Sequence, residues 1–278
     1  MKLAALVALT MMAFAANSLL NKVGVAGLGM HPLDFAAIRV AAGAVMLWAL
    51  VGLRDAPRPV LRGARRWAGA AALAVYMLGF SWAYLSLDAG IGALILFGAL
   101  QVVIFGWSVW TGQNIPALRW VGAVIALIGL CVLLWPSGAS HVPPQGAAAM
   151  IAAAIGWAVY TLLGRAEPDA LGATAANFLL CLPLVAMVAV LAGGGPMKLP
   201  GVLVAIIAGA VTSGLGYALW YRVLPALAST VAAIAQLSVP VIAVAAGVIL
   251  LAEPLSVRLL IAGVLVLGGI GVSLLAKR

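Results

Sequence analysis

A few strongly polar side chains lie inside long apolar stretches of this sequence. Arg39 lies about two helical turns into one such stretch, and Asn17 and Asn21 lie one turn apart in another. Gln101 and Gln236 lie deep in two further stretches. A guanidinium binds carboxylates, and an amide can donate to a carboxylate or accept from an ammonium group. These residue types predict binding of a small polar ligand rather than bond-making chemistry.

Structural roles for the same side chains remain open from the sequence alone. Arg39 could bind helix-end carbonyls or extend toward a membrane surface, and the nearby Asp34 could be its partner. The Asn and Gln amides could form hydrogen bonds between neighbouring helices instead of contacting a ligand. The ligand-binding interpretation requires that these side chains surround a common cavity.

Aromatic side chains recur at helical spacing beside these polar residues. The sequence predicts that the cavity is also lined by Tyr76, Phe80, Phe97, Trp157, Tyr160 and Tyr217. Such stripes are typical of helix packing. Their occurrence in both halves of the chain nevertheless favours a cavity with apolar walls and polar anchors, which would suit an amphipathic solute.

Groups that would support catalysis or metal binding are missing from the apolar stretches. No nucleophile and base are grouped, and the His and Cys residues form no ligand pattern. We therefore expect neither an enzyme nor a cofactor or metal site. A proton antiporter with a central glutamate is also disfavoured, because every carboxylate lies in a connection or near the end of a predicted span. These carboxylates are Asp34, Asp55, Asp88, Glu167, Asp169 and Glu253.

Composition determines the expected fold class. Hydrophobic residues make up 66% and charged residues 8% of the 278-residue chain, whereas soluble domains carry about 25% charged residues. Because about 20 apolar residues cross a bilayer as a helix, we expect an all-α integral membrane protein with ten transmembrane helices. The predicted spans are Leu3–Asn21, Pro32–Leu53, Trp67–Leu87, Gly90–Thr111, Leu118–Trp135, Gly146–Leu163, Leu171–Leu191, Gly201–Tyr221, Ala226–Leu251 and Val257–Leu275.

The basic residues predict how these spans are oriented. Short connections make successive spans antiparallel, and Lys and Arg favour the cytoplasmic side. With the N-terminus in the cytoplasm, only Lys22, Lys198 and Arg258 fall on the far side, and Arg39 falls within a span. All other members of the 15 Lys and Arg residues then face the cytoplasm, so both termini are expected there.

The sequence also contains an internal repeat. Residues 79–89 are matched at constant spacing by residues 216–226, which share glycine, aromatic, tyrosine, leucine and alanine positions. We therefore predict two five-helix units, residues 1–136 and residues 145–278. An odd number of spans inverts the second unit relative to the first. Inverted repeats are typical of secondary transporters, whose substrate site lies between the repeats near the midplane.

The end of the chain carries a specific combination of residues. It consists of Tyr221-Arg222, Pro240 and Ala252-Glu253-Pro254-Leu255, followed by a Gly-rich last span. Ala16-Asn17, Lys22, Pro32 and Arg39 agree with the same pattern near the beginning. Over essentially its whole length the chain resembles the EamA family of the drug/metabolite transporter superfamily, and it looks closest to the YddG-like amino acid exporters. It departs from the pattern in one respect, because the first repeat has Asn114-Ile115-Pro116 where the second has Glu253-Pro254.

The resemblance implies ten helices in two inverted repeats around a central cavity, and export of metabolites, commonly amino acids. We therefore expect a secondary transporter that exports small amphipathic metabolites, including aromatic amino acids, by alternating access. Pro183 and Pro240 interrupt predicted spans and are candidate hinges. The alternatives are a multidrug or other metabolite exporter of the same fold, and a channel. The expected partners are the substrate and the bilayer of a bacterial inner membrane, without nucleic acid, and both a monomer and a dimer remain open.

Overall fold

The computed structural model describes residues 2–54, 58–135, 142–164, 167–227 and 229–275. Ten helices follow one another along these ranges, and no strand occurs within them. The all-α fold class that composition predicts is therefore confirmed. The helices are α1 Lys2–Gly27, α2 Pro32–Gly52, α3 Ala64–Ala83, α4 Ala89–Trp110, α5 Ala117–Leu134, α6 Pro144–Gly164, α7 Ala170–Leu191, α8 Leu199–Ala226, α9 Ser229–Leu251 and α10 Val257–Leu275.

Eight of these helices are long and apolar enough to cross a membrane, judged by length and composition. The other two are α3, which carries Arg65 and Arg66 in its first turn, and α9, whose described apolar part is Ala235–Leu251. The chain is therefore a multi-pass membrane protein. Ten crossings arranged as inverted repeats stay a prediction.

The helix connections gather at two ends of the bundle. The basic end, as it is called here, holds the connections α2–α3, α4–α5, α6–α7 and α8–α9. Arg54 after α2 is hydrogen-bonded there to Asp169 before α7. The opposite end holds the connections α1–α2, α3–α4, α7–α8 and α9–α10. Lys22 near the end of α1 lies 3.5 Å from Asp88 before α4 at this end.

The main helix pairs join the first half of the chain to the second. α3 packs on α6 and α7, α2 packs on α7 and α8, and α4 packs on α6 and α9. α1 packs on α8 and α9, and α5 packs on α10. When α1 is exchanged with α6, α2 with α7, and so on to α5 with α10, the same set of helix pairs results.

Glycines allow α5 and α10 to approach at backbone distance. A Cβ atom at Gly269 of α10 would lie 2.5 Å from the Gly122 carbonyl oxygen and 2.6 Å from the Ala126 nitrogen. A Cβ atom at Gly129 of α5 would lie 2.8 Å from the Val266 nitrogen. Small residues at such contacts maximise van der Waals packing, which drives helix association where lipid removes the hydrophobic driving force.

Two helices depart from regular α geometry, and they are not the helices with internal prolines. α1 ends in the π-helical turn Val23–Gly27, and α8 contains the π-helical segment Ala208–Leu215. π-helical segments are rare and frequently lie at functional sites. By contrast, α7 and α9 stay α-helical through Pro183 and Pro240, so the role of these prolines as hinges stays a prediction.

Replacing Gly269 with leucine should destabilise the protein, because the new side chain would separate the α5 and α10 backbones. Overpacking of a tight contact costs about 1–3 kcal/mol, and we expect the unfolding midpoint in detergent to fall by about 5 °C. The matched control is Gly268→Leu on the same helix, where no atom lies within 4 Å of the added Cβ. Equal midpoints for the two variants would contradict the packing described here.

Candidate functional site

A cavity of about 1970 Å³ extends into the bundle from the basic end. Residues of α2 and of α4 to α10 line it, together with connections at that end. Six of the predicted binding residues lie on its wall: Phe97, Gln101, Trp157, Tyr160, Tyr217 and Gln236. The other five predicted binding residues are buried but do not line the wall: Asn17, Asn21, Arg39, Tyr76 and Phe80.

Trp157 is the centre of an aromatic cluster at the inner wall of this cavity. Its ring stacks on Tyr160 at 5.5 Å between centroids and contacts Tyr76 at 4.9 Å and Tyr217 at 5.3 Å. Tyr76 contacts Phe80 in turn, at 5.3 Å. The cluster joins α3 and α6 to α8. One of its ring pairs is stacked and three are tilted, all at centroid distances typical of aromatic contacts. It provides a large apolar surface against which a ring or hydrocarbon chain can pack.

Arg39 lies on the other side of this cluster and is fully buried. Its Nε donates to the Ser213 hydroxyl at 3.1 Å, and its Nη2 donates to the Tyr76 hydroxyl at 3.3 Å. The guanidinium carbon lies 5.1 Å from the Phe80 ring centroid and 5.5 Å from that of Tyr76, within the range of cation–π attraction. Gly209 permits this arrangement, because a Cβ there would collide with the Arg39 carbonyl oxygen.

None of the described ion pairs neutralises the charge of Arg39. Its Nη1 is buried and has no hydrogen-bond partner among the described residues. The suggestion that Asp34 is its partner is wrong, because the Asp34 carboxylate accepts the Gly195 N–H at 2.8 Å and lies 3.9 Å from His31 Nδ1. Ionisable groups buried without a countercharge in a membrane protein are costly and mark functional positions.

Asn17 and Asn21 belong to a buried hydrogen-bond chain that links α1 to α3 and α8. The Asn17 side-chain oxygen accepts from the Thr212 hydroxyl at 3.2 Å. Asn21 donates to the Asn17 carbonyl oxygen at 2.9 Å and accepts from the Ser81 hydroxyl at 2.8 Å. In this structure the two Asn amides therefore form hydrogen bonds within and between helices, the structural role that the sequence left open. Gln101 and Gln236, by contrast, face the cavity.

Charged groups surround the mouth of the cavity at the basic end. Arg54 Nη1 and Nη2 lie 2.7 Å and 2.5 Å from the two carboxylate oxygens of Asp169. Asp169 also accepts the Gly172 N–H at 3.0 Å and so caps the start of α7. The hydrogen bond from Arg54 lowers the pKa of Asp169, and the same bond raises the pKa of Arg54. The mouth thus combines fixed ion pairs with further cavity-lining arginines at positions 119 and 222.

Polar contacts at the opposite end join the α9–α10 connection to the start of α4, and the end of α1 to Asp88. The Glu253 carboxylate, between α9 and α10, accepts the backbone N–H of Ala89 at 2.6 Å and that of Gly90 at 3.4 Å at the start of α4. Burial raises the pKa of Glu253, while these two N–H donors act in the opposite direction. Lys22 and Asp88 pair beside this contact. Glu253 therefore satisfies otherwise unpaired donors at a helix N-terminus.

Several residues of this site were not predicted from the sequence. Thr212 and Ser213 bind Asn17 and Arg39, and Thr174 accepts from the Tyr160 hydroxyl at 3.2 Å. Trp220 lines the cavity and contacts Phe14. Hydroxyl residues in apolar helices are common, so the only available signal was the adjacent Thr212-Ser213 pair in a Gly-rich segment of α8.

Comparisons with known proteins agree with this architecture. Residues 144–275 match the model of the EamA-like transporter family. An uncharacterized protein of Pseudomonas aeruginosa is 45% identical over 271 residues, which cover 97% of this chain and 93% of that protein. An uncharacterized transporter of Archaeoglobus fulgidus is 28% identical over 205 residues, covering 71% of this chain and 72% of that one.

A solved crystal structure has the same fold, with a TM-score of 0.69 and 98% coverage of both chains at 20% sequence identity. The family matched by this chain consists of transporters rather than enzymes. A transporter of this kind implies a small-molecule substrate and a lipid bilayer as its partners. On these grounds the chain belongs to the EamA-like transporter family of the drug/metabolite transporter superfamily.

Proposed function

We propose that this transporter is a carrier that exports small amphipathic metabolites, including aromatic amino acids, by alternating access. The observation that carries the proposal is the cavity of about 1970 Å³, whose wall combines aromatic rings with the amides of Gln101 and Gln236. Rings can bind the apolar part of a solute, and amides can bind a carboxylate or an ammonium group. The cavity wall takes residues from both halves of the chain, as a site between two repeats requires.

The arrangement of helix pairs supports two inverted repeats, residues 1–136 and 145–278. The pairs α3–α6 and α8–α1 correspond when the halves are exchanged, and so do α4–α6 and α9–α1. Each half has five helices in the described ranges, and successive helices connected by short segments run in opposite directions. An odd number therefore inverts the second half. Two related halves can exchange conformations, which gives the inward-open and outward-open states similar energies.

The contacts at the two ends favour a carrier over a channel. The cavity reaches the basic end, whereas Lys22, Asp88 and Glu253 tie connections together at the opposite end. With the basic residues in the cytoplasm of a bacterial inner membrane, this structure is the inward-open state. A carrier alternates between such states and never offers a continuous water-filled path.

Labelling of introduced cysteines will test the orientation. In a background with Cys131 and Cys181 replaced, Gln113→Cys lies in the α4–α5 connection and Met197→Cys in the α7–α8 connection. Both side chains are exposed. We expect an impermeant maleimide to label Met197→Cys in intact cells and Gln113→Cys only after lysis, because the two connections lie on opposite sides. Labelling of both from the same side would rule out the proposed topology.

Transport in proteoliposomes will test the site. We expect counterflow of labelled phenylalanine or tryptophan, with a half-saturation concentration raised about tenfold in Trp157→Ala or Gln236→Ala, since each loses one contact worth about 1–1.5 kcal/mol. Trp110→Ala is the matched control, because Trp110 is 78% exposed at the end of α4. Normal transport by both cavity variants would refute the proposed site. Absence of amino acid transport by the wild type would refute the proposed substrate class.

The closed opposite end should depend on pH through Glu253. Burial raises the pKa of Glu253 in the closed end, and an open end would restore its usual value near 4.5. The closed end therefore binds the proton more tightly, so it gains stability as pH falls through the raised pKa, and the gain is complete below 4.5. The Glu253→Gln variant keeps an acceptor for the Ala89 N–H and should lose this dependence.

The readout for this dependence is the labelling rate of Leu87→Cys, a position that is 1% exposed beside Asp88. The rate is divided by that of Met197→Cys at the same pH, which removes the intrinsic pH dependence of thiol chemistry. We expect the normalised rate to fall on acidification in the Glu253 protein and to stay flat in Glu253→Gln. The same slope in both proteins would show that Glu253 does not control this end.

A further inference from the structure

The guanidinium of Arg39 is fully buried, and its described partners are all uncharged. We propose that Arg39 is a binding subsite for the carboxylate of the transported molecule, which is therefore an organic acid or zwitterion with an apolar body. This inference rests on the proposed transport function and deepens it, because it assigns the recognised chemical group. It also selects between the roles that the sequence left open for Arg39.

The contacts of Arg39 argue against a purely structural role. A structural arginine in a membrane bundle pairs with a carboxylate, caps helix-end carbonyls or extends to the surface. The described partners of Arg39 are instead the hydroxyls of Ser213 and Tyr76 and the faces of two aromatic rings. Its Nη1 is buried and unpartnered within the described part of the chain. The arrangement leaves one positive charge and both N–H groups of Nη1 unsatisfied.

A carboxylate supplies what this environment lacks. It carries the single negative charge that neutralises one guanidinium, and its two oxygens can accept from the planar fork of N–H donors. The hydroxyl groups of Ser213 and Tyr76 can add hydrogen bonds to the same anion.

The aromatic cluster defines the rest of the ligand. Tyr76 contacts both Arg39 and Trp157, and Trp157 lies on the cavity wall. An apolar group in the cavity would therefore rest on Trp157 and Tyr217 while the carboxylate points toward Arg39. Because Tyr76 and Trp157 separate Arg39 from the cavity in this state, the carboxylate reaches Arg39 when these rings part. Anion binding is then linked to the movement of α3, α6 and α8.

Two probes that differ in charge but have the same shape will test the subsite. Phenylacetate and phenylacetamide share ring and length, and only the first carries a negative charge. Binding to purified protein is followed by quenching of tryptophan fluorescence. We expect wild-type protein to bind phenylacetate about tenfold more tightly than phenylacetamide, the discrimination that one charge-assisted pair provides. Equal affinities for the two probes would overturn the proposal.

Variants locate this discrimination at Arg39. In Arg39→Gln we expect the ratio of affinities to fall to about one, through weaker binding of phenylacetate alone. Arg39→Lys keeps the charge but not the fork and should retain an intermediate ratio. The control is Arg58→Gln, which removes one positive charge from an exposed position in the α2–α3 connection and should leave the ratio unchanged. An unchanged ratio in Arg39→Gln would place the carboxylate elsewhere.

The possible outcomes separate this inference from the proposed function. If Arg39→Gln does not fold, the intermediate ratio in Arg39→Lys decides, and a wild-type ratio there contradicts the subsite. If the probe ratio behaves as expected but phenylalanine shows no counterflow, the carboxylate subsite stands and the amino acid substrate is wrong. If phenylalanine is transported without charge discrimination between the probes, the transport function stands and the Arg39 subsite is wrong.

Discussion

The burial of the Arg39 charge is the constraint around which the centre of this protein is arranged. Lipid offers no water to a guanidinium, so every stabilising contact must come from the protein or from a ligand. Serine, tyrosine and two ring faces supply part of this stabilisation. They also bring α2, α3 and α8 together, and the π-helical segment of α8 brings Ser213 to the site. The contacts that stabilise the buried charge of Arg39 are therefore also contacts that hold these three helices together.

The sequence predicted the features that depend on periodicity and composition. The all-α membrane class and the burial of Asn17, Asn21 and Arg39 among helices follow from long apolar stretches with few polar interruptions. The family was expected instead from a resemblance, carried by combinations such as Ala252-Glu253-Pro254-Leu255. Six of the eleven candidate binding residues line the cavity, and five lie behind its wall. Helical periodicity shows which residues share a face of their own helix. It does not show which helix that face meets. For this reason the sequence could not distinguish Gln101, which lines the cavity, from Arg39, which lies behind the cavity wall.

Other features required three-dimensional information. The π-helical segment of α8 has no periodic signature, so its hydroxyl residues could not be assigned as partners of Arg39 and Asn17. The separation of Asp34 from Arg39 was also hidden, because Asp34 binds a backbone N–H from a distant connection. Contacts between helices far apart in sequence decide both cases, and a single sequence contains no direct record of them.

The Glu253 contact exists in only one of the two halves of the chain. Glu253 joins the α9–α10 connection to the first N–H groups of α4, whereas the corresponding stretch of the first half, Asn114-Ile115-Pro116, offers no carboxylate. A protein whose two access states differ in this way spends unequal time in them, and apparent affinity falls with the occupancy of the competent state. In the proposed carrier, solute presented at the basic end would therefore meet more open binding sites at any moment. For the proposed carrier, the half-saturation concentration should be lower for efflux than for influx. Without an energy source the maximal rates must differ in the same ratio, so that the two fluxes balance at equal solute concentrations.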